Sequence, residues 1–439
     1  MENENKKHSK NPLEQEIQFE KSSNKINNKS FNLNNSLENQ TKQTKNNYNI
    51  KYNSNSSNNK SDKEIKEKNN PNNSNNQIKK TLLSDEVFSP AVSKSKFIKE
   101  YHSDVNLYGI SLQNNQNCMR LAVSSLESPI STEIPKLSYN NNNSNNYSAT
   151  NPSCLNKIEI IEYFPETDKL RKIAQAETLF PQTKLIWCPA KENNTLLAST
   201  SDILRIHKFD ELQNKLVPAC DLTKKSKKNS GPLTSMDWNR INTNLIGVCS
   251  VDTTCTIWDM QKQDIKTHLI AHDSEVFDIN FGANENTFIS TGADGSIRLF
   301  DLRALDTCSV IFESQDQTPI TRVSWNNNDN NYIAAATQDK NFIFIIDVRV
   351  LNTPIAYLTY HTNLINAIAW APSSYSHICS VSDDKTALIW DIQMIENRTE
   401  DPILTFKAES EINNCVWGDP YEDWIAINAG NVVKMLKVI

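Results

Sequence analysis

The sequence predicts an all-β protein, a seven-bladed β-propeller with a disordered Asn-rich N-terminal tail ahead of it. Three observations lead there. One type of strand recurs seven times, a second type precedes it at a near-constant distance, and the composition before residue 94 differs from that of most of the remaining chain.

The recurring strand ends in an apolar or aromatic residue, or once in His, often with Asp next: KIEII to Ile161, ILRIH to His207, CTIW to Trp258, SIRLF to Phe300, FIFII to Ile346, TALIW to Trp390 and VVKML to Leu436. Successive intervals are 46, 51, 42, 46, 44 and 46 residues. Six of these strands follow a leading strand that ends at Trp187, Trp238, Phe281, Trp325, Trp370 or Trp417, and the separations are 20, 20, 19, 21, 20 and 19 residues. Spacing that is tight inside a unit and looser between units marks each unit as one rigid block joined by variable connections. Seven of the eight tryptophans fall on these positions, so the aromatic pattern belongs to the repeat. Short strands of period-2 patterning, four to a unit, bury their apolar faces by stacking around an axis.

The first unit departs from this spacing. Its leading strand, LYGISL, ends at Leu112, 49 residues before Ile161, and the excess holds the run Asn140 to Asn143. Residues 127–156 are therefore expected to be a disordered insertion in blade 1, since surface loops tolerate added length at small entropic cost. The last unit is short as well, because only Lys437, Val438 and Ile439 come after its third strand. The segment around Phe97, Ile98 and Tyr101 has strand patterning, and residues 94–102 are expected to pair there as the missing outer strand and remove an exposed edge. The domain reading is thus 1–93 tail and 94–439 propeller.

Apolar residues make up 37% of the chain, below the roughly 45–50% usual for globular proteins, and the Asn, Ser and Lys of the tail account for the deficit. Residues 1–100 carry 18 Lys and 12 acidic residues, a net of +6, which leaves −12 on the remainder. An acidic body argues against direct nucleic-acid binding by the propeller. Nine scattered cysteines without a C-x-x-C pair fit a reduced intracellular setting. No secretory leader and no membrane span are expected, which points to the nucleus and cytoplasm.

Units of this length and strand content carry the signature of WD40 repeats. In that class a His ahead of the blade, a Ser in its second strand, an Asp in the next turn and a Trp form a hydrogen-bonded tetrad. Blade 6 matches with His361, Ser380, Asp384 and Trp390; blade 4 offers His272, Ser290 and Asp294 with Phe300 in place of Trp; blade 3 keeps Asp252 and Trp258. Longer segments, PLTSMDWN (232–239), SVDTTCTIWD (250–259), LIAHDSEVFDI (269–279), GADGSIRLFDLR (292–303), INAIAWAP (365–372) and ALIWDIQ (387–393), resemble one WD40 family. It is that of the plant regulator Transparent Testa Glabra and its animal counterpart, also catalogued as a cullin-4-associated factor. The resemblance implies a non-catalytic adaptor with protein partners, joining a protein kinase and a transcription factor. A second implied role rests on FDLR (Phe300 to Arg303) and IDVR (Ile346 to Arg349), which resemble the W-D-x-R box of cullin-4 ligase substrate receptors, so that Arg303 and Arg349 would bind the cullin-4 ligase adaptor. Arginine suits this because its planar fork pairs with carboxylates. The bland alternative makes both arginines solvated charges or local salt bridges.

Other constellations are assigned to structure. His268 and His272 share the H-x-x-x-H spacing that would put both on one helix face, but the region reads as strand and turn and His272 already has a tetrad role, so no metal is expected. The Ser, His and Asp of blade 6 look like a hydrolase triad without a cleft or oxyanion donors, so no catalytic residue is assigned. Eight glycines form neither phosphate-binding motif, which leaves no cofactor and no small-molecule substrate expected. The lysine run 224–228 reads as a solvated loop and, alternatively, as a nuclear import signal. Cys249 and Cys255 read as core thiols.

Overall fold

A computed structural model describes residues 97–127, 156–223, 231–393 and 401–438. The expected tail, nearly all of the blade 1 insertion and the lysine run lie outside the described residues.

The first strand, β1 (Ile98–His102), belongs to the last blade. Blade 1 is β2 (Leu107–Leu112), β3 (Arg120–Ser125), β4 (Asn156–Phe164) and β5 (Lys169–Thr178); blade 2 is β6 (Lys184–Trp187), β7 (Leu196–Thr200), β8 (Leu204–Asp210) and β9 (Lys215–Leu222). Blade 3 is β10 (Leu233–Trp238), β11 (Leu245–Ser250), β12 (Thr254–Asp259) and β13 (Asp264–Ile270); blade 4 is β14 (Val276–Phe281), β15 (Thr287–Gly292), β16 (Ser296–Asp301) and β17 (Ser309–Glu313). Blade 5 is β18 (Ile320–Trp325), β19 (Tyr332–Thr337), β20 (Ile343–Asp347) and β21 (Pro354–Leu358); blade 6 is β22 (Ile365–Trp370), β23 (His377–Ser382), β24 (Thr386–Asp391) and β25 (Leu404–Lys407). Blade 7 is β26 (Ile412–Trp417), β27 (Trp424–Ala429) and β28 (Val432–Lys437), completed by β1. The innermost strands start at what we term the entry face, together with the turns between second and third strands. They finish at the exit face, together with the turns between third and fourth strands.

The two marker residues of each blade are register partners across the second strand. Trp238 pairs with Ile246 and Ile246 with Trp258; the corresponding rows are Phe281, Phe288, Phe300 and Trp370, Ile378, Trp390. Separations of 19 to 21 residues are therefore two strands and two turns long, fixed by register. Each row packs toward the preceding blade, so Trp238, Ile246 and Trp258 sit in one cluster with Ala198, Leu204 and Ile206 of blade 2.

The sequence reading of strands with one apolar face holds for the outermost strands, such as β13, which exposes alternate residues. The inner three strands are apolar on both faces, because a blade is covered on both sides. In blade 5, Ile333, Ala335, Phe344 and Ile346 face blade 4, while Ala334, Ala336, Ile343 and Ile345 face blade 6. Among the described residues seven such clusters fill the seven blade junctions, including the junction of blade 7 with blade 1.

Neighbouring innermost strands are joined by side chains instead of a backbone ladder. Six of the seven carry a register shift near their start, as between Leu233 and Ser235 or Ile365 and Ala367. Such a bulge re-aims one side chain out of the ladder. At four junctions a neutral donor reaches the carbonyl of the first residue of the next innermost strand: Thr183 Oγ1 to Leu233 (3.0 Å), Thr234 Oγ1 to Val276 (2.6 Å), Asn366 Nδ2 to Ile412 (2.9 Å) and Asn413 Nδ2 to Leu107 (2.8 Å). At the exit face the fully buried Gln113, Asn239 and Asn326 donate in the same way to carbonyls of the following blade.

Ring closure uses β1, which pairs antiparallel with β28 from Ile98 opposite Leu436 to His102 opposite Val432. The expected closing strand was 94–102; the pairing begins at Ile98, and residues 94–96 lie outside the described residues. The seam is fastened by a carboxylate in the first blade. Glu159, 1% exposed, accepts hydrogen bonds from Tyr101 Oη and Ser103 Oγ, each at 3.0 Å, and from Lys172 Nζ at 2.9 Å. Burial and the neighbouring Glu159 push the Tyr101 phenol well above its usual range, so Tyr101 stays a donor. The ends of the blade 1 insertion also differ from expectation. Asn156 is buried, and its Oδ1 accepts from the Glu127 amide at 2.9 Å, so residues 127 and 156 form a neck and do not belong to the inserted length.

Removing residues 1–90 is expected to leave thermal unfolding unchanged. Removing 1–104, which takes β1 and two of the Glu159 donors, is expected to lower the midpoint by more than about 10 °C or to abolish the cooperative transition. Equal melting of the two truncations would disprove the closure role of β1.

Candidate functional site

In blade 6 the four expected tetrad residues meet. Trp390 Nε1 donates to Ser380 Oγ at 2.8 Å, Ser380 Oγ lies 2.8 Å from His361 Nε2, and His361 Nδ1 lies 2.8 Å from Asp384 Oδ2. The proton order that satisfies every atom runs from indole to serine to imidazole to carboxylate. The chain turns back toward the His through Lys385, whose φ is 68°, a left-handed position that Gly295 fills in blade 4 at φ 74°. There His272 Nε2 lies 2.7 Å from Ser290 Oγ and its Nδ1 lies 3.0 Å from both Asp294 oxygens. Phe300 has no donor and instead stacks on Phe288 with centroids 5.0 Å apart. In blade 3 Val248 stands where the serine would, and Asp252 accepts from the Gly231 amide and from Thr254. Both tetrad histidines are 1% exposed, which keeps the serines beside them away from any substrate.

Blade 2 holds a variant that the motif does not reveal. His207 occupies the Trp position of its row, and its Nε2 lies 3.0 Å from Ser199 Oγ. Burial pushes the His207 imidazole down to about 4, so it is neutral at physiological pH. The signal was available in the marker spacing, since His207 ends one of the seven recurring strands.

Arg303 and Arg349 sit at the exit face in the turns after β16 and β20. In blades 2 to 6 the Asp at the end of the third strand accepts the amide two residues on, from Leu212, Gln261, Arg303, Arg349 and Gln393. Only in blades 4 and 5 is that residue Arg, and its side chain folds back on the same carboxylate. Arg303 Nε and Nη2 donate to Asp301 at 2.9 and 2.6 Å, and Arg349 to Asp347 at 2.8 and 2.6 Å. The hydrogen bond from Arg303 holds the Asp301 carboxyl down at about 2. Both guanidinium groups nevertheless face solvent, at 69% and 60% exposure. The blade 5 turn is tied to β17 of blade 4, because the Asn352 amide donates to the Ile311 carbonyl at 2.8 Å and Asn352 Oδ1 accepts from the Glu313 amide at 3.0 Å. Exposed Val310, Val350 and Leu351 belong to the same two segments. The result is a preset pair of cations on adjacent blades beside apolar surface.

Among the described residues, no group of three or more His, Cys, Asp or Glu is placed to hold a metal ion, and no helix is long and apolar enough to cross a membrane. His268 Nδ1 lies 2.9 Å from Thr256 Oγ1, and Cys249 and Cys255 are fully buried register partners.

Seven four-stranded blades closed by a strand from the other end of the repeat array, with His–Ser–Asp networks in blades 4 and 6, define a WD40-repeat propeller. The WD domain, G-beta repeat family model matches residues 263–301 and 352–391, the stretches that end in the two blades with the His–Ser–Asp networks. The chain is 42% identical over 285 residues to the DDB1- and CUL4-associated factor 7 homolog of Dictyostelium discoideum, covering 64% of this chain and 88% of that protein. It is 35% identical to the uncharacterized WD repeat-containing protein C17D11.08 of Schizosaccharomyces pombe, covering 64% and 81%. It is 34% identical to the WD repeat-containing protein YPL247C of Saccharomyces cerevisiae, covering 54% and 52%. The chain belongs to the DDB1- and CUL4-associated factor 7 family.

Burial alone would raise the Asp384 carboxyl, but hydrogen bonds from His361, Thr386 and the Thr362 amide hold it well below the usual carboxylate range; Asp294 is held down likewise by His272 and Ser296. A carboxylate with a lowered folded pKa contributes stability that is present above its unfolded value, about 3.9, and is lost as pH falls through the folded value. Asp384→Asn is expected to cost about 1–3 kcal/mol at neutral pH in urea unfolding, with the gap to the parent narrowing below about pH 4. A gap independent of pH would show that the carboxylate charge contributes nothing.

Proposed function

We propose that this chain is a non-catalytic protein-interaction adaptor that attaches to a cullin-4 ubiquitin ligase through Arg303 and Arg349 at the exit face. The observation that carries this is the matched pair of Asp-held arginines on blades 4 and 5. Two forks fixed in direction before binding lose little entropy on docking, and each keeps unused N–H groups for a partner's oxygens. The printed name of the Dictyostelium relative supports the same reading. The resemblance to the plant regulator supports a further role, holding a protein kinase and a transcriptional regulator together in the nucleus and cytoplasm. A propeller suits that role because its two loop faces are separate and rigid.

Arg303→Ala combined with Arg349→Ala is expected to leave the fold intact, because exposed ion pairs contribute little to stability. Recovery of the cullin-4 ligase adaptor on affinity purification is expected to fall at least about tenfold, since such anchors dominate an interface. Unchanged recovery would remove the ligase reading, and absence of kinases and transcription factors among the co-purified proteins would remove the bridging role.

A further inference from the structure

The polar belt at the entry face contains the charged residues Lys184, Asp278 and Arg322; Lys184 and Asp278 pair at 3.3 Å, whereas Arg322 has only neutral acceptors among the described residues. At the four junctions described above, the clip between innermost strands is a threonine hydroxyl or an asparagine amide. Between blades 5 and 6 it is Arg322, whose Nε donates to the Asn366 carbonyl at 2.6 Å and whose Nη1 donates to the Thr321 carbonyl at 2.9 Å. Nη2 reaches across the ring axis to Tyr108 Oη of blade 1, at 3.4 Å. A clip needs no charge, as the other four junctions demonstrate, so the guanidinium calls for a different explanation.

The acceptors of Arg322 are all neutral. The other arginines that are not exposed among the described residues are each paired: Arg120 with Glu162 and Glu211, Arg205 with Asp202, and Arg298 with Asp273 and Asp294. Two carboxylates lie close to Arg322 along the belt, and both are engaged elsewhere. Asp278 accepts from Ser235 Oγ at 2.6 Å, from the Val323 amide at 3.1 Å and from Lys184 Nζ at 3.3 Å, while Asp383 accepts from Asn366 Nδ2 at 2.6 Å. Three of the five guanidinium N–H groups are used by the bonds described, which leaves two.

The geometry points to the entry-face mouth of the ring, at Arg322 and Tyr108, as a binding site for a carboxylate side chain on an acidic segment of a protein partner. A carboxylate seated there completes the ion pair that the fold leaves open, with a charge-assisted bond stronger than the neutral ones it joins. The half-buried aromatic ring of Phe277, which replaces the polar clip residue in blade 4, offers apolar contact at the same rim. The acidic body of the propeller repels anions in general, so capture depends on the belt cation that has no carboxylate partner, since Lys184 already pairs with Asp278. The site lies at the opposite end of the strands from Arg303 and Arg349, and an adaptor attached through the exit face keeps it open to a second protein.

The test uses the full chain and a fluorescein-labelled hexaglutamate peptide, with hexaglutamine as the uncharged counterpart, read by fluorescence anisotropy. Binding of hexaglutamate alone is expected, weakened at least about tenfold by Arg322→Gln and less by Arg322→Lys. Equal affinity of parent and Arg322→Gln, or equal affinity for both peptides, would overturn the proposal. Should Arg322→Gln fail to fold, a benzophenone-bearing hexaglutamate cross-linked to the unaltered protein decides the matter by mass spectrometry. Adducts within residues 106–110 and 320–323 support the site, and adducts confined to residues 301–303 and 347–351 refute it.

Discussion

Each blade of this protein is apolar on both faces, and that constraint governs the rest of the structure. A stack of such sheets left open would expose two apolar sheet faces to water, so the array has to close on itself. Closure falls to five residues, Ile98–His102, whose pairing with β28 completes blade 7 and brings Tyr101 and Ser103 to the buried Glu159 of blade 1. The seam therefore combines a backbone ladder with a carboxylate that three donors satisfy. The polar belts at the two ends of the innermost strands have a comparable effect at the other junctions, where a hydroxyl or amide takes a carbonyl that no backbone partner reaches.

Register explains why so much of the ring can be read from the sequence. The two markers of a blade are opposite one another across a single second-strand residue, so their distance along the chain cannot drift without a slip that would turn every side chain to the other face. The His–Ser–Asp contacts of blades 4 and 6 are legible for the same reason, since all three residues lie within one blade and its entry turn. Contacts between blades are different. Glu159 reads as a charged residue within an apolar strand, Arg322 as one arginine in TRVSW, and Gln113, Asn239 and Asn326 as ordinary residues after a marker. Their partners lie in other blades at distances that depend on bulges and blade tilt, which no local pattern encodes. His207 lies between these cases, because the spacing places it in a marker row while its residue type conceals the role.

The two faces of the ring differ in chemistry. At the exit face, a turn shared by five blades has been specialised in two of them by one residue each, giving paired exposed arginines beside Val350 and Leu351. At the entry face, the tetrads hold the turns between second and third strands in place while the belt fixes the strand starts around the axis. Rigidity of this kind favours a hub, since partners meet surfaces that are already shaped and do not order them on binding. At the entry face of blade 1, Asn156 Oδ1 accepts from both Ser125 Oγ and the Glu127 amide, which ties the ends of β3 and β4 together.

The pairing of β1 with β28 also dictates a history for every newly made molecule. β1 is synthesised ahead of all seven blades, yet its partner is the last strand of the ring, from His102 opposite Val432 to Ile98 opposite Leu436, at the far end of the propeller sequence. During synthesis β1 has no sheet to join, and blade 1 has no seventh blade to cover its far face. Contacts this remote in sequence form late and slowly. The growing chain thus carries an unpaired strand and an uncovered apolar sheet until its final segment is released, which is the state in which chains of this kind are most exposed to aggregation and depend most on chaperones.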